Sequence, residues 1–501
     1  MNQEYLRGTK TTVAILSLIV FFAVSGQLVS AQTTTAPETS PETPKKSADT
    51  PQQNSEVQQL KEKVRLMEQT VEELKKQISA VEQSQQQQTQ QQPVKVIPAV
   101  YDDTTKTTTT TTTADNSKKP ADKDDKQGES TFEIYGFAML DAGYQFGQNH
   151  PDWFDVVRPV KLPSFQDQFA PSGKTFWGVR QSRLGVKTST PTRWGELKTQ
   201  FEFELFGTGV DAGQTTFRLR HAYGEIGQFG AGQTNSVFMD GDVFPNTIEY
   251  WGPNGMVLYR NVQFRWMPIK GRSRVTIAVE RPGASADQSD YRDRIQLQGV
   301  KPKIEFPDLT AEARYGRNWG YVEIAGILRQ LKWSDTNKAD PEDLSGSDLG
   351  WGLNLSSNVH FTKRDIGRFQ VVYGEGIENY LNDADVDVGV QITNDPNRPI
   401  KGVALPILGI VTYLDHTWNK KFTSSIGYSF MNIENSSGQN PDAYHRGHYA
   451  STNLLFTPVD NVMLGGEFIW GRRENWRDGF ASNDYRLQFA FKYNFSKVLK
   501  F

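Results

Sequence analysis

The chain has 501 residues, no cysteine, and 55 Lys and Arg against 58 Asp and Glu, for a formal net charge of −3. That composition excludes a disulfide scaffold and a strongly basic nucleic-acid binder. The sequence is polar on average yet carries 42 Gly, 29 Phe, 18 Tyr and 11 Trp, as when strands hide apolarity in alternation in a transmembrane β-barrel.

Residues 1–31 read as a secretory signal peptide. Arg7 and Lys10 precede the apolar run "TVAILSLIVFFAV" (12–24), and Val29, Ser30 and Ala31 form a small-residue cleavage signal. The run is short of the ~20 residues a spanning helix needs, which counts against an uncleaved anchor. Residues 32–55 are Thr, Pro, Gln and Ser, a composition that buries no core and predicts disorder. Residues 56–83 predict a coiled-coil helix. Val57, Val64, Val71 and Ile78 hold one heptad position, and Leu60, Met67, Leu74 and Val81 hold the other. The stripe is two positions wide, as suits a helical seam better than a helix lying on a membrane. Residues 84–130 run through Gln, "PVKVIPAVYDD", a Thr tract and "KKPADKDDK", and predict a low-complexity linker.

From residue 131 to 501 the pattern is alternation. "FEFELF" sets Phe201, Phe203 and Leu205 against Glu202 and Glu204, and "YRLQFAFKYNF" (485–495) sets aromatic and apolar residues against Arg486, Gln488, Lys492 and Asn494. Aromatic faces that recur opposite polar ones predict an all-β, antiparallel barrel with a lipid-facing outside and a wet inside. Short gaps at 191–195, Gly227, 268–272, 318–320, 362–367, 419–421 and 458–461 alternate with long ones at 146–175, 207–215, 236–255, 281–308, 334–348, 381–404, 435–446 and 474–482. That spacing gives sixteen strands; counting "RIQLQGV" (294–300) and a partner as two more would give eighteen.

An outward Arg at the bilayer midplane costs about 2–4 kcal/mol, whereas an inward one meets water. With Phe217, Leu219 and Tyr223 placed outward, Arg218 and Arg220 face the lumen, and the same parity turns Arg183, Lys187 and Arg274 inward. Parity fails for Arg180 and Arg260, which share a face with apolar neighbours. The third long gap, "SVFMDGDVFPNTIEYWGPNG", follows the fifth strand and carries Asp240, Asp242 and Glu249. Folded inward, these carboxylates would face the arginines across a narrow water column and form a selectivity filter.

"GVRQSRLGVKT" (178–188), "GQTNSVFMDGDVFPNTIEYWGPNGM" (232–256), "LYRNVQFRW" (258–266) and the terminal aromatic strand resemble the DcaP-like family of outer-membrane porins. The likeness extends to the heptads before the barrel. It implies a trimeric, sixteen-stranded channel of the Gram-negative outer membrane, with the amino-terminal region in the periplasm, passing small anionic solutes such as dicarboxylates. It places Arg183, Asp240, Asp242, Glu249, Arg260 and Arg265 at pore or constriction positions, and alternation independently favours Arg183 and Arg265. Two features depart from it. β-Branched residues alternating with Leu or Met in the heptads favour isolated dimers, which leaves trimerisation to the barrel wall. "SKVLKF" (496–501) follows the strand predicted to end at Phe495, so Phe495 and Phe501 compete as terminal assembly signal.

An enzyme is a poor fit. "HRGH" (445–448) sits in a long gap without neighbouring carboxylates, so no metal site or cofactor is expected. The competing reading is a structural anchor, with the coil binding peptidoglycan and the barrel fixed in outer-membrane lipid.

Overall fold

The computed structural model describes residues 129–282, 297, 299–336 and 343–501. The expected signal peptide, disordered segment, coiled coil and nearly all of the linker lie outside them, as does most of 294–300. The described residues form one antiparallel barrel. Its strands are β1 (Thr131–Gln145), β2 (Lys174–Gly178 and Arg183–Thr192), β3 (Gly195–Phe206), β4 (Thr215–Ile226), β5 (Phe229–Asn235), β6 (Arg260–Ile269), β7 (Arg274–Glu280) and β8 (Val300–Pro302 and Asp308–Arg317). They continue as β9 (Gly320–Asp335), β10 (Gly346–His360), β11 (Asp365–Glu375), β12 (Pro406–Thr417), β13 (Phe422–Ile433), β14 (Tyr444–Phe456), β15 (Val462–Asn475) and β16 (Ala481–Lys500). Both segments of β2 pair with β1, and both segments of β8 pair with β9, so eighteen paired segments make sixteen staves. β16 pairs with β1 from Thr131↔Lys500 to Gln145↔Arg486 and closes the wall.

Alternation explains the two faces. Leu184, Phe201 and Phe217 are 51%, 49% and 78% exposed on the outside, while Glu202 and Glu204 on the intervening positions are buried. Turns sit at one end and long loops at the other, as the spacing predicts; Gly227 meets the first with φ +56°, which a side chain would resist.

Three expectations change. In β4, His221 pairs with Glu202 but Leu219 with Phe203, so a bulge at Arg220–His221 turns two consecutive residues inward. Tyr223, expected outside, is thereby inside, opposite Gln200. β16 runs through "SKVLK" to Lys500, beyond the expected end at Phe495. Nor is every inward face polar. Ala325, Ile327, Val372, Ile407, Met431 and Ile433 point inward from β9 to β13 and pack against Val160 of the first loop, Phe238, Met239 and Val257 of the third, and Tyr380, Leu381 and Val386 of the sixth. The loops pack against that side of the lumen.

Candidate pore constriction

Inside the barrel a cavity of about 350 Å³ is bordered on the wall side by Arg183, Arg218, Arg220, Arg260 and Lys492. Glu202 and Glu204 lie among these cations. Arg220 donates through Nε to Glu202 at 2.6 Å and through Nη1 to Glu204. Arg183 approaches the same two carboxylates at 3.6 and 3.5 Å, and Arg218 and Arg260 approach Glu204 at 3.6 and 3.9 Å. Tyr135 donates to Glu202 at 2.7 Å. Lys492 rests over the Phe137 ring, 3.9 Å from its centroid, and has no ion pair among the described residues. Two carboxylates thus space four arginines without neutralising them all.

The third loop, residues 236–259, forms the opposite border, and hydrogen bonds fix its path. Ser236 Oγ and the Val237 amide donate to Glu280 on β7, both at 2.9 Å. Asn354 on β10 donates to the Phe238 carbonyl at 3.0 Å. The Ile248 amide donates to Glu467 on β15 at 2.6 Å. Tyr250 then stacks on Phe206, with ring centroids 4.3 Å apart, and donates to Glu204. At Gly255 a Cβ would stand 2.4 Å from the Phe430 carbonyl, so the returning chain needs glycine to lie against the wall.

The loop's carboxylates differ from expectation. Asp240 is fully buried and accepts from Arg314 Nη2, Tyr321 Oη and Ser356 Oγ, each at 2.6 Å. Glu249 borders the cavity but is buried, accepting from the Val157 amide at 3.0 Å, the Gly252 amide, and Tyr449 Oη at 3.3 Å. Both fasten the loop instead of facing the water column. Asp242 remains 59% exposed, but it pairs with Arg314 and lies 3.7 Å from Arg274. Facing the cavity from this loop are Phe244, Pro245, Thr247 and Tyr250.

The expected basic residues separate by position. Arg183, Arg218 and Arg220 border the constriction, and Arg260 joins them from the first position of β6. Lys187 borders a second cavity, about 420 Å³, with its ammonium 4.4 Å from the Tyr135 ring centroid. Arg265 folds back on Gln263 and on the Asn235 carbonyl, at 2.9 and 2.7 Å. Arg274 joins Glu312 and Glu323, at 2.9 and 2.8 Å, in a cluster with Arg314. Arg180 lies where β2 is interrupted, which re-aims it: it pairs with Asp155 of the first loop and donates to the Gly207 and Gln214 carbonyls at 2.8 and 3.0 Å. Sequence reasoning put Lys492 on the inner face but not at the constriction, and missed Arg314 and Tyr250, because each is defined by a partner distant in the chain.

The first, third and sixth loops interlock above the cavity. Arg158 lies between Trp153 and Trp251, 4.0 and 4.4 Å from their centroids, and donates to Asp383 at 2.8 Å. Burial pushes the Asp383 carboxyl above the usual range, opposed by Arg158 and by the Val160 amide.

The model of the DcaP outer membrane protein family matches residues 62–495. The chain belongs to that family. A crystal structure of the outer membrane channel DcaP of Acinetobacter baumannii is similar at 21% identity with a TM-score of 0.59, covering 73% of this chain and 97% of that one. An anion-selective porin from Comamonas acidovorans is similar at 9% identity and a TM-score of 0.48, covering 73% and 100%. In vitro folded OmpT of Vibrio cholerae is similar at 13% identity and a TM-score of 0.44, covering 73% and 98%. No curated protein sequence matches. Family membership puts the aromatic outer face in outer-membrane lipid and makes the lumen that of a porin-type channel.

Proposed function

We propose that this DcaP-family barrel is a passive diffusion pore with a preference for small anionic, dicarboxylate-like solutes. The observation that carries the reading is the charge at the constriction. Five cationic side chains, Arg183, Arg218, Arg220, Arg260 and Lys492, face three carboxylates, Glu202, Glu204 and Glu249, for a formal excess of two positive charges. Glu249 is counted there in full, while Asp240 is paired with Arg314 and does not border this cavity. Lys187 and Arg265 extend the basic lining, whereas Arg274, with Arg314, is outnumbered by Asp240, Asp242, Glu312 and Glu323. The pore works as a homotrimer whose amino-terminal coil stands in the periplasm.

Zero-current potentials across a salt gradient in planar bilayers test the preference, followed by flux of a panel of organic anions. An anion-selective potential is expected, and clear cation selectivity overturns the reading. A barrel that does not conduct supports the structural anchor instead, with the coil engaging peptidoglycan.

A further inference from the structure

The outer surface changes character at the loop end of β13, β14 and β15. Register places Tyr428, Ala450, Trp470 and Tyr485 in one outward row across β13 to β16. The next row toward the loops is Phe430, His448, Arg472 and Asn483, and the row beyond it is Asn432, Arg446 and Glu474. Apolar staves therefore end in an aromatic row, and above it two guanidinium groups and one carboxylate face away from the lumen. A charge turned outward costs about 2–4 kcal/mol at the bilayer midplane but about 0–1 kcal/mol near the interface. The rows fit a wall that leaves the hydrocarbon at Trp470 and Tyr485 and enters the headgroups at Arg472 and Arg446.

The polar groups in these rows are held in place. Arg472 Nε donates to Glu474 at 2.8 Å, and Arg446 Nε donates to Asn432 at 2.9 Å. His448 is hydrogen-bonded through Nδ1 to Tyr428 Oη at 2.6 Å. Both arginines are thus oriented through Nε alone. Among the described residues, their terminal nitrogens have no hydrogen-bond partner, although each can donate to an anion. Two positive charges against Glu474 leave the rows net positive.

We infer that Arg446 and Arg472 form a surface site for a phosphorylated lipid headgroup in the leaflet at the loop end of the barrel. A phosphate between adjacent strands can accept from both guanidinium forks in charge-assisted bonds, while the acyl chains lie along Tyr428, Trp470 and Phe468. The site faces away from the lumen and is independent of what the pore conducts.

The test uses the full-length protein in detergent and native mass spectrometry, with bis-phosphorylated lipid A, dephosphorylated lipid A and inorganic phosphate as probes. The wild type should retain the bis-phosphorylated lipid about tenfold better than the dephosphorylated one. The double variant Arg446→Gln/Arg472→Gln should lose that preference while keeping wild-type single-channel conductance. Millimolar inorganic phosphate should not displace the lipid. Equal retention of the two lipids by the wild type overturns the site, as does an unaltered preference in the folded variant. Displacement by inorganic phosphate overturns the assignment to lipid. If the double variant does not fold, the comparison of the two lipids on the wild type still decides.

Discussion

Removing the least paired cations of the constriction should shift ion selectivity by an amount that can be worked out beforehand. Lys492 has no ion pair among the described residues, and Arg218 has only Glu204 at 3.6 Å, whereas Arg220 binds Glu202 and Glu204 together. Arg220→Gln would leave two buried carboxylates underpaired and confound selectivity with folding. Arg218→Gln/Lys492→Gln changes charge with less structural consequence. A cavity of about 350 Å³ puts a permeating ion on the order of 6 Å from either charge, where each contributes about 0.7 kcal/mol in water. With a screening length of about 10 Å at 0.1 M salt this falls to about 0.4 kcal/mol. The two charges together then change anion partitioning about fourfold, with a similar change of opposite sense for cations. Reversal potentials at 0.1 M and 1 M salt would measure it, with heat-modifiable gel mobility to confirm folding. The shift should be clear at 0.1 M and nearly vanish at 1 M, where the screening length is about 3 Å. An unchanged reversal potential at 0.1 M would refute the claim that this basic wall sets selectivity.

Three further outcomes follow from the way the loops are held. Asp240→Asn should cost about 3 kcal/mol in docking of the third loop, the low end for breaking a buried pair because Arg314 keeps Glu323; single-channel records should be larger and noisier, and Asp242→Asn should have less effect. Arg158→Ala leaves Asp383 buried without its guanidinium and opens the space between Trp153 and Trp251, so the first and sixth loops should be cut faster in limited proteolysis, consistent with a loss of about 3–5 kcal/mol. Deleting residues 32–125 should leave barrel trimers on a native gel and an unchanged conductance; loss of the oligomer would show that the deleted segment, not the wall, sets the assembly.

The barrel was legible because alternation and gap length are local properties. Phe201 to Leu205 state their two faces within five residues, and a long gap followed by a short one needs no knowledge of what either end touches. The misreadings begin where locality ends. Tyr223 was misplaced because the bulge at Arg220–His221 is a property of pairing with β3, and nothing between Thr215 and Ile226 announces it. Arg180 defied parity because β2 breaks there and Asp155 draws the guanidinium into the first loop.

The same limit governs the loop carboxylates, and here it bears on mechanism. An aspartate in a loop predicted to enter a pore can face the water or bind the wall, and the choice depends on what the wall offers. Opposite Asp240 the wall offers Arg314, Tyr321 and Ser356, residues 74 to 116 positions away that alternation identifies as inward without saying what they meet. A buried carboxylate with three donors has no reason to turn outward, since doing so would break its pair with the buried Arg314 and leave the Tyr321 and Ser356 hydroxyls without their acceptor. Acidic residues in the third loop therefore do not by themselves imply exclusion of anions. Asp240 and Glu249 fasten one border of the cavity, opposite the border that carries Arg183, Arg218, Arg220, Arg260 and Lys492.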